Sequence, residues 1–262
     1  MSEYETVAYT LENGVAVARL NQPDSLNAMT MLMGNELLAA IRRAAGEART
    51  LVIGGTGRAF SAGANLTNLE FALDDPERDI GIGLEHIFNP MVEILRDYPI
   101  PVITAIKGAA AGIGCSIALM GDLIIAGKSS YFLQAFRHVG LVPDGGSAHI
   151  LTHAIGRVRA MEMMLLGQKY PAQKAYETGL VTRLVEDDEV DSTAEALAAE
   201  LASGPAFSLA GIRRAAWAAL ETPLSAQLTH ERAQQRIATR TDDFVEGVMA
   251  FRERRKPVFK GK

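Results

Sequence analysis

One aspartate in the chain has the sequence neighbours expected of a general base. Asp144 lies in the segment GLVPDGG at residues 140–146, just before a helix that we predict to begin near Ser147. If apolar groups surround this side chain, burial raises its pKa toward neutrality, where a carboxylate can remove a proton from a substrate. An aspartate just before a helix also often caps the free N–H groups of the first turn. Asp144 is therefore a candidate base or a candidate helix cap.

Two glycine-rich segments offer backbone N–H groups rather than reactive side chains. Residues 57–66 read GRAFSAGANL, and residues 107–115 read KGAAAGIGC between a predicted strand at 102–106 and a predicted helix at 113–120. The start of a helix has unpaired N–H groups and a partial positive charge, and two converging N–H groups can bind an oxyanion. Tight packing of strand against helix would also require small residues. Each segment is thus either an anion-binding turn or a structural turn.

Other chemical motifs in the chain are incomplete. The segment GDLIIAGKS at residues 121–129 has five residues between its glycines, whereas a phosphate-binding loop needs four. His149 and His153 have the spacing of metal ligands on a helix, but no third ligand accompanies them. Cys115 is the single cysteine, which excludes a disulfide framework and a multi-thiolate cluster. We therefore expect no metal, and we expect Cys115 to be a small core residue.

The elements that must position these segments alternate between strands and helices. Asn13-Gly14 between apolar runs is typical of a β-hairpin, and apolar residues repeat with a helical period over residues 30–49. Further short strands are predicted at residues 51–53, 102–106, 122–126 and 131–133. This alternation indicates an α/β fold, and helical patterning dominates from residue 189 onward. We assign residues 1–200 to the core and residues 201–262 to a helical C-terminal region.

The composition is that of an ordinary globular protein. The 262 residues are 48% hydrophobic and 22% charged, which excludes a disordered chain. The net charge of −5 provides no basic field for nucleic acid. The longest apolar stretch, residues 102–125, is interrupted by charges and glycines and does not indicate a membrane span. The first residues lack the basic start of a signal peptide, so we expect a cytoplasmic protein.

Two segments have no clear periodicity. Residues 68–89 are acidic in their first half, and we predict a loop there that lies over a site. Residues 252–262 hold six basic residues and one acid. A solvated tail is the usual interpretation of such a run, and a phosphate-binding site is the alternative.

Several spaced motifs together resemble the crotonase superfamily, also called the enoyl-CoA hydratase/isomerase family. They are LNQPDSLNA at residues 20–28, AFSAGA at residues 59–64, the glycine-rich residues 108–114 followed by Asp122, and the C-terminal residues 251–259. The resemblance covers nearly the whole chain. It implies a spiral of ββα turns with a helical C-terminal trimerisation region, assembled as a homotrimer or a dimer of trimers.

The same resemblance implies a site for acyl-CoA thioesters. By position, the N–H groups of Ala64 and Ile113 would hold the thioester oxygen as it becomes an enolate. CoA would be part of the substrate, so no separate cofactor is expected. Phe251 and Arg254 would contact the CoA bound to a neighbouring subunit. The other residues implied to contact substrate or CoA are Leu26, Ala28, Ala62, Gly63, Leu66, Gly112 and Phe136.

Departures from the family pattern bear on the reaction. Hydratases of this family use two glutamates, and the matching positions here hold Ser116 and Phe136. Asp144 instead matches the aspartate that isomerases and aryl-CoA dehalogenases of the family carry. Local segments also resemble the phenylacetate-pathway isomerases, which convert a ring-epoxide CoA thioester to an oxepin. These segments are residues 87–90, 135–136, 140–144, 156–161 and 165–167.

The combined pattern favours an acyl-CoA isomerase in which Asp144 shuttles one proton, in a double-bond or ring-epoxide isomerisation. The first alternative is an enoyl-CoA hydratase of fatty-acid or aromatic-acid degradation that recruits another group, such as Glu85 or His86. Dehalogenation by attack of Asp144 on an aryl carbon ranks lower, because the chain has one tryptophan, Trp217, in the C-terminal region. A non-catalytic CoA-binding scaffold would also keep the fold.

Overall fold

The structure is a computed structural model that describes residues 4–67 and 74–262. It opens with a hairpin of strands β1 (Val7–Glu12) and β2 (Val15–Leu20), which pair antiparallel. The two turn residues, Asn13 and Gly14, have φ angles of 51° and 80°. This left-handed turn matches the twist of a hairpin and confirms the prediction from Asn-Gly.

A six-stranded sheet forms the centre of the fold. Its other strands are β3 (Thr50–Gly55), β4 (Val102–Ile106), β6 (Leu123–Gly127) and β9 (Arg183–Val185), in the order β1-β2-β3-β4-β6-β9. From β2 to β9 all neighbours are parallel. A second, three-stranded sheet contains β5 (Ala109–Ala111), β7 (Tyr131–Leu133) and β8 (Tyr170–Pro171). The predicted strands therefore exist, with ends that differ by a few residues.

Helices connect and cover these strands. The first five helices are α1 (Met31–Glu47), α2 (Gly81–Gly83), α3 (Asn89–Arg96), α4 (Ile113–Ala118) and α5 (Ser147–Ile155). The helices that follow are α6 (Arg157–Leu166), α7 (Ala172–Glu177), α8 (Val190–Ala202), α9 (Ala206–Ala218), α10 (Leu224–Ala238) and α11 (Asp242–Glu253). Within residues 4–67 and 74–262, no helix has the length and apolar character needed to cross a bilayer.

The central sheet is buried on both faces. On one face, Val17, Val52 and Ile103 pack with residues of α8 such as Ala194. On the other face, the alternate strand residues pack into the main core together with α1, α3 and α4. Strands buried on both sides contain continuous apolar runs, which explains why Leu51 to Ile53 and Val102 to Ile106 lack a polar alternation.

The expectation of a loop over a site at residues 68–89 holds for residues 74–80, which are not helical and partly line the cavity described below, and is wrong for the residues that follow. Residues 68–73 lie outside the described part of the chain, and residues 81–88 are helical. The helix α2 continues through one π-helical turn, Leu84–Phe88, into α3. Ile87 and Phe88 are buried against α1, where a Cβ built on Gly34 would lie 3.0 Å from Ile87 Cγ2. The sequence around this helix is rich in glycines and acids, so it shows no helical period. The helix packs where Gly34 of α1, distant in the chain, leaves room for Ile87 and Phe88.

An ion pair between a buried arginine and a partly exposed aspartate joins the C-terminal helices to the sheet. Arg213 on α9 is 4% exposed, and its Nε donates to Asp122 Oδ2 over 2.6 Å. The same guanidinium donates to the carbonyl oxygens at the end of α3, including those of Arg96 and Tyr98. Asp122 in turn accepts the Val102 N–H at the start of β4, over 2.8 Å. The pair therefore fixes α9 to the edge at which β4 begins.

The basic C-terminal segment is exposed but hydrogen-bonded to α11. Asp243 accepts the N–H groups of Lys260 and Gly261 over 2.7 and 2.9 Å. Glu246 forms an ion pair with Arg255. The hydrogen bond from the Arg255 side chain is the main cause that lowers the pKa of the Glu246 carboxyl to about 2. These contacts hold the end of the chain against α11.

Candidate active site

The two glycine-rich segments lie side by side. Phe60 N–H donates to Lys107 O over 2.7 Å, and Ser61 N–H donates to Ala109 O over 2.9 Å. Ala111 N–H returns a hydrogen bond to Ser61 O, over 2.9 Å. These bonds extend a short parallel pairing beyond the ends of β3 and β4. The sequence separates the segments by some fifty residues, and the sheet brings them into contact.

Asn27 holds the first of these segments from the other side. Its buried amide donates to Ala59 O over 2.8 Å and to Thr56 O over 3.0 Å, and its own carbonyl accepts from Ser61 Oγ. Asn27 has a φ of 54°, in the left-handed region that asparagine tolerates better than most residues. Asn27 is therefore a positioning residue. The sequence marks it only as part of a motif, with no sign of which backbone groups it binds.

The backbone at Gly63 and Gly112 brings two amide groups to one place. Gly63 has a φ of 96° and Gly112 a φ of 51°, and a Cβ built on Gly112 would lie 3.7 Å from the Gly63 Cα. The residues that follow are Ala64 and Ile113, and Ile113 is the first residue of α4. Neither amide donates a hydrogen bond to any residue in 4–67 or 74–262. Two adjacent unpaired N–H groups can stabilise an oxyanion.

Asp144 has the environment of a base rather than of a helix cap. Helix α5 begins at Ser147 with Gly146 as its capping residue, and no side chain caps it. Asp144 Oδ1 is buried and has no hydrogen-bond partner within the described residues. Burial raises the pKa of this carboxyl from 3.8 to about 6. A carboxyl group with a pKa near the working pH can both accept and return a proton.

The turn that carries Asp144 is held by two serines. Ser116 Oγ and Ser147 Oγ each donate to the backbone oxygen of Asp144 over 2.9 Å. Gly145 packs directly on Ser116, since a Cβ built on this glycine would lie 2.8 Å from Ser116 Cβ. Ser116 is fully buried. Ser116 therefore supports the turn that carries Asp144.

One cavity of about 1090 Å³ contains Asp144 and both amide-bearing segments. Of the residues implied by the resemblance, it is lined by Ala62, Gly63, Ala64, Leu66, Gly112, Ile113, Phe136 and Asp144. Leu26 and Ala28 lie just outside it, on the segment whose Leu26 O accepts the Ala62 N–H over 2.9 Å. Phe251 and Arg254 do not line it, and Phe251 is 85% exposed at the end of α11.

Comparison with known proteins agrees with this geometry. The family model for enoyl-CoA hydratase/isomerase matches residues 10–262. The chain belongs to the enoyl-CoA hydratase/isomerase family. The resemblance stated from the motifs is thereby confirmed, together with the α/β crotonase fold.

Members of this family similar to the chain carry different activities in their names. A "Probable enoyl-CoA hydratase" of Rhodobacter capsulatus is 39% identical over 99% of both chains. The 1,2-epoxyphenylacetyl-CoA isomerase of Escherichia coli is 38% identical over 98% of this chain and 99% of its own. A crystal structure of an enoyl-CoA hydratase from Polaromonas sp. JS666 has a TM-score of 0.91 at 30% identity, covering 97% of this chain and 99% of that one. These similarities identify the family, but they do not distinguish hydratase from isomerase activity.

The cavity wall of this family member also includes residues for which the sequence predicted no role at the site. Its apolar side chains include Met29, Met31, Leu32, Leu84, Phe88, Val139, Leu141 and Val142. Asn89 and His138 also reach it. They come from α1, from the π turn and from the residues before Asp144, which are distant in the chain. A helical or turn pattern alone does not distinguish a cavity wall from a core face.

The remaining candidates from the sequence lie elsewhere. His149 and His153 stack with ring centroids 4.3 Å apart on α5, and no group of three potential metal ligands occurs in the part of the chain that the structure describes. Cys115 is fully buried beside Gln134, and burial raises its pKa to about 12. A thiol with such a pKa stays protonated, as expected of a core residue rather than a nucleophile.

Proposed function

We propose that this family member is an acyl-CoA isomerase that moves one proton with one aspartate. The observation that carries the proposal is the buried, unpaired Oδ1 of Asp144 in the same cavity as the free amides of Ala64 and Ile113. A base and an oxyanion site are the two groups that proton abstraction next to a thioester requires.

The proposed reaction needs no further group from the protein. The N–H groups of Ala64 and Ile113 hold the thioester oxygen, which lowers the pKa of the α-carbon protons. Asp144 takes one of these protons, and the C–H electron pair forms a dienolate with the β,γ double bond. The protonated carboxyl then returns the proton to the γ carbon, which leaves the double bond between the α and β carbons. The carboxylate is regenerated, so proton and electrons balance.

The two positions implied for hydratase glutamates favour isomerisation over hydration. Ser116 is buried and bound to the Asp144 carbonyl, and Phe136 is an apolar part of the wall. Neither side chain can activate or protonate water as a carboxyl group does. Glu85 and His86, the alternative recruits, are exposed and do not line the cavity.

The acyl group that we propose is a β,γ-enoyl chain or a ring epoxide. The Escherichia coli relative is named for 1,2-epoxyphenylacetyl-CoA. A cavity of about 1090 Å³ with an apolar wall has room for a six-membered ring as well as for a short chain. With either substrate, the N–H groups of Ala64 and Ile113 would hold the thioester oxygen, and Asp144 would remove a proton from the α carbon.

The deciding experiment compares isomerisation with hydration. Wild type, Asp144→Asn and the matched control Asp188→Asn, an exposed acid in the turn before α8, are assayed by ultraviolet absorbance and NMR on trans-3-hexenoyl-CoA and crotonyl-CoA. We expect isomerisation by wild type and by the control, a loss of ~10²–10⁴-fold in Asp144→Asn, and little hydration. Because the pKa of Asp144 is about 6, kcat/KM should rise with pH to a plateau above that value.

Other results would lead to the alternatives. Strong hydration of crotonyl-CoA that survives in Asp144→Asn would assign the protein as a hydratase with a different acid. Tight binding of acyl-CoA without turnover of either substrate would assign it as a non-catalytic scaffold.

We also propose the assembly that the resemblance implies. Phe251 and Arg254 would complete the CoA site of a neighbouring subunit in a homotrimer or a dimer of trimers. Their exposure at the end of α11, outside the cavity of their own chain, supports this role. Light scattering after size exclusion gives the number of subunits, and a monomer that still binds acyl-CoA would contradict the proposal.

A further inference from the structure

The cavity contains an amide side chain that the proposed reaction does not use. Asn89 is exposed and lines the cavity, and its side chain makes no hydrogen bond to any other described residue. Two other polar side chains of the wall are engaged in part: Thr30 Oγ accepts the Met33 N–H, and Asn65 Oδ1 accepts the Thr67 N–H. His138 Nε2 lies 2.7 Å from Gly167 O. Asn89 is thus an amide with its full hydrogen-bonding capacity free.

The backbone places Asn89 on the side of α3 that faces the Asp144 turn. Val92 lies one helical turn beyond Asn89, and residues three apart share a face of a helix. A Cβ built on Gly146 would lie 3.5 Å from Val92 Cγ1, so this face of α3 packs on the turn that follows Asp144. Asn89 therefore reaches the cavity next to the proposed base. Asp144 Oδ1 has no partner, so the Asn89 amide is not engaged in holding that carboxylate.

The position of Asn89 is fixed by the π-helical turn before it. The Asn89 N–H donates to Leu84 O, and the preceding Phe88 is buried against α1. A π turn shifts the helix that follows by one residue relative to a regular α-helix, and such turns often occur at functional sites. Asn89 has the backbone angles of an α-helix, with φ −64° and ψ −47°, and is the first residue of α3. The amide is therefore presented by a constrained backbone rather than by a freely moving loop.

An unpaired amide in an apolar cavity has a consequence for the ligand. When an acyl group displaces water from the cavity, the Asn89 amide loses hydrogen bonds unless the acyl group replaces them. A hydrocarbon chain offers no acceptor, and the thioester oxygen is assigned to the amides of Ala64 and Ile113. A second oxygen, further along the acyl group, would supply the replacement.

We propose that Asn89 is a specificity-determining residue that donates a hydrogen bond to an epoxide or hydroxyl oxygen on the acyl group. It selects oxygen-bearing acyl groups over hydrocarbon acyl groups of the same size. The inference rests on the proposed function only in that an acyl-CoA thioester occupies this cavity. Asn89 takes no part in the proton transfer.

The test measures binding of two thioesters that differ by one oxygen. Titration calorimetry compares phenylacetyl-CoA with 2-hydroxyphenylacetyl-CoA on wild type, Asn89→Leu and the control Asn35→Leu. Leucine has nearly the shape of asparagine without its hydrogen bonds, and Asn35 is an exposed residue of α1 outside the cavity wall. We expect wild type and the control to bind the hydroxylated thioester about 3- to 10-fold more tightly, the ordinary worth of one hydrogen bond. In Asn89→Leu the ratio should fall to about one.

Two results would overturn the inference. One is a wild type that does not prefer the hydroxylated thioester, and the other is a preference that survives in Asn89→Leu. Asn89→Ser, which keeps a donor on a shorter side chain, should retain part of the preference, and it replaces the leucine variant if circular dichroism shows that the latter does not fold.

A kinetic comparison separates this inference from the proposed function. The ratio of kcat/KM on a ring-epoxide thioester to kcat/KM on trans-3-hexenoyl-CoA should fall about tenfold in Asn89→Leu relative to wild type, because the hexenoyl chain has no second oxygen. An equal loss on both would make Asn89 a structural support and refute selection. If wild type turns over neither substrate but prefers the hydroxylated thioester in the binding test, the isomerase proposal fails and the assignment of Asn89 stands.

Discussion

Replacing Asp144 by asparagine should make the protein more stable while it removes the activity. The buried carboxyl has its pKa raised from 3.8 to about 6, and the cause is desolvation. In the pH interval between these values, the folded protein binds more protons than the unfolded chain. Stability of the wild type therefore falls as the pH rises from about 4 to about 6, and the loss persists at higher pH.

The size of the effect follows from the shift in pKa. At ~1.4 kcal/mol per pH unit, the shift to about 6 amounts to roughly 3 kcal/mol at neutral pH. The carboxyl is partly exposed, so solvent screening reduces this to about 1–2 kcal/mol. Asparagine has nearly the same shape and does not titrate, so Asp144→Asn should recover that amount. For a chain of this length, each kcal/mol corresponds to about 2–4 °C in Tm.

The assay is thermal unfolding of wild type, Asp144→Asn and Asp188→Asn at two pH values. At pH 8 we expect Asp144→Asn to melt about 2–8 °C above wild type, and at pH 5 we expect roughly half of that gain. The exposed control should match wild type at both. An unchanged Tm at pH 8, or an equal gain at both pH values, would refute the reasoning, because it would mean that burial does not penalise the charged carboxylate.

Three further predictions test the surroundings of the site. Arg213→Ala should destabilise the protein by about 2–4 kcal/mol in urea unfolding, because it removes the buried guanidinium that binds Asp122 and the carbonyl oxygens at the end of α3. A loss below about 1 kcal/mol would contradict the pairing. Gly112→Ala should lower kcat for isomerisation ~10²–10³-fold, because alanine strains a φ of 51° and displaces the following amide; unchanged kcat would exclude that amide from the oxyanion site. Ser116→Glu should yield no hydration of crotonyl-CoA and a marked drop in Tm, since the fully buried serine packs on Gly145; a stable variant that hydrates crotonyl-CoA would refute this account.

The sequence is sufficient for the order of strands and helices where local patterns decide them. The hairpin at Asn13-Gly14, the strands at Val102–Ile106 and Tyr131–Leu133, and the start of α5 at Ser147 are all present in the structure. Each depends on turn chemistry or on an unbroken apolar run within a few residues. The same holds for the glycine-rich turns, whose small residues and flanking strands are local features.

Features that depend on distant contacts could not be predicted. The π turn Leu84–Phe88 is helical because Ile87 and Phe88 pack against α1 at Gly34, a contact that no local periodicity reveals. The roles of Asn27 and Ser116 likewise follow from which carbonyl groups the fold brings within reach. The sequence identifies Asp144 as a base or a cap, and only the position of Gly146 at the start of α5 excludes the cap.

The ion pair between Asp122 and Arg213 also orders the events of folding during synthesis. The two residues are 91 positions apart. A ribosome adds about 5–20 residues per second, so roughly 5–20 s pass between their appearance. Until α9 arrives, Asp122 and the carbonyl oxygens of Arg96 and Tyr98 lack the guanidinium that later binds them, so water must take its place. We therefore expect this edge to stay hydrated in the nascent chain until α9 has emerged and docked on it.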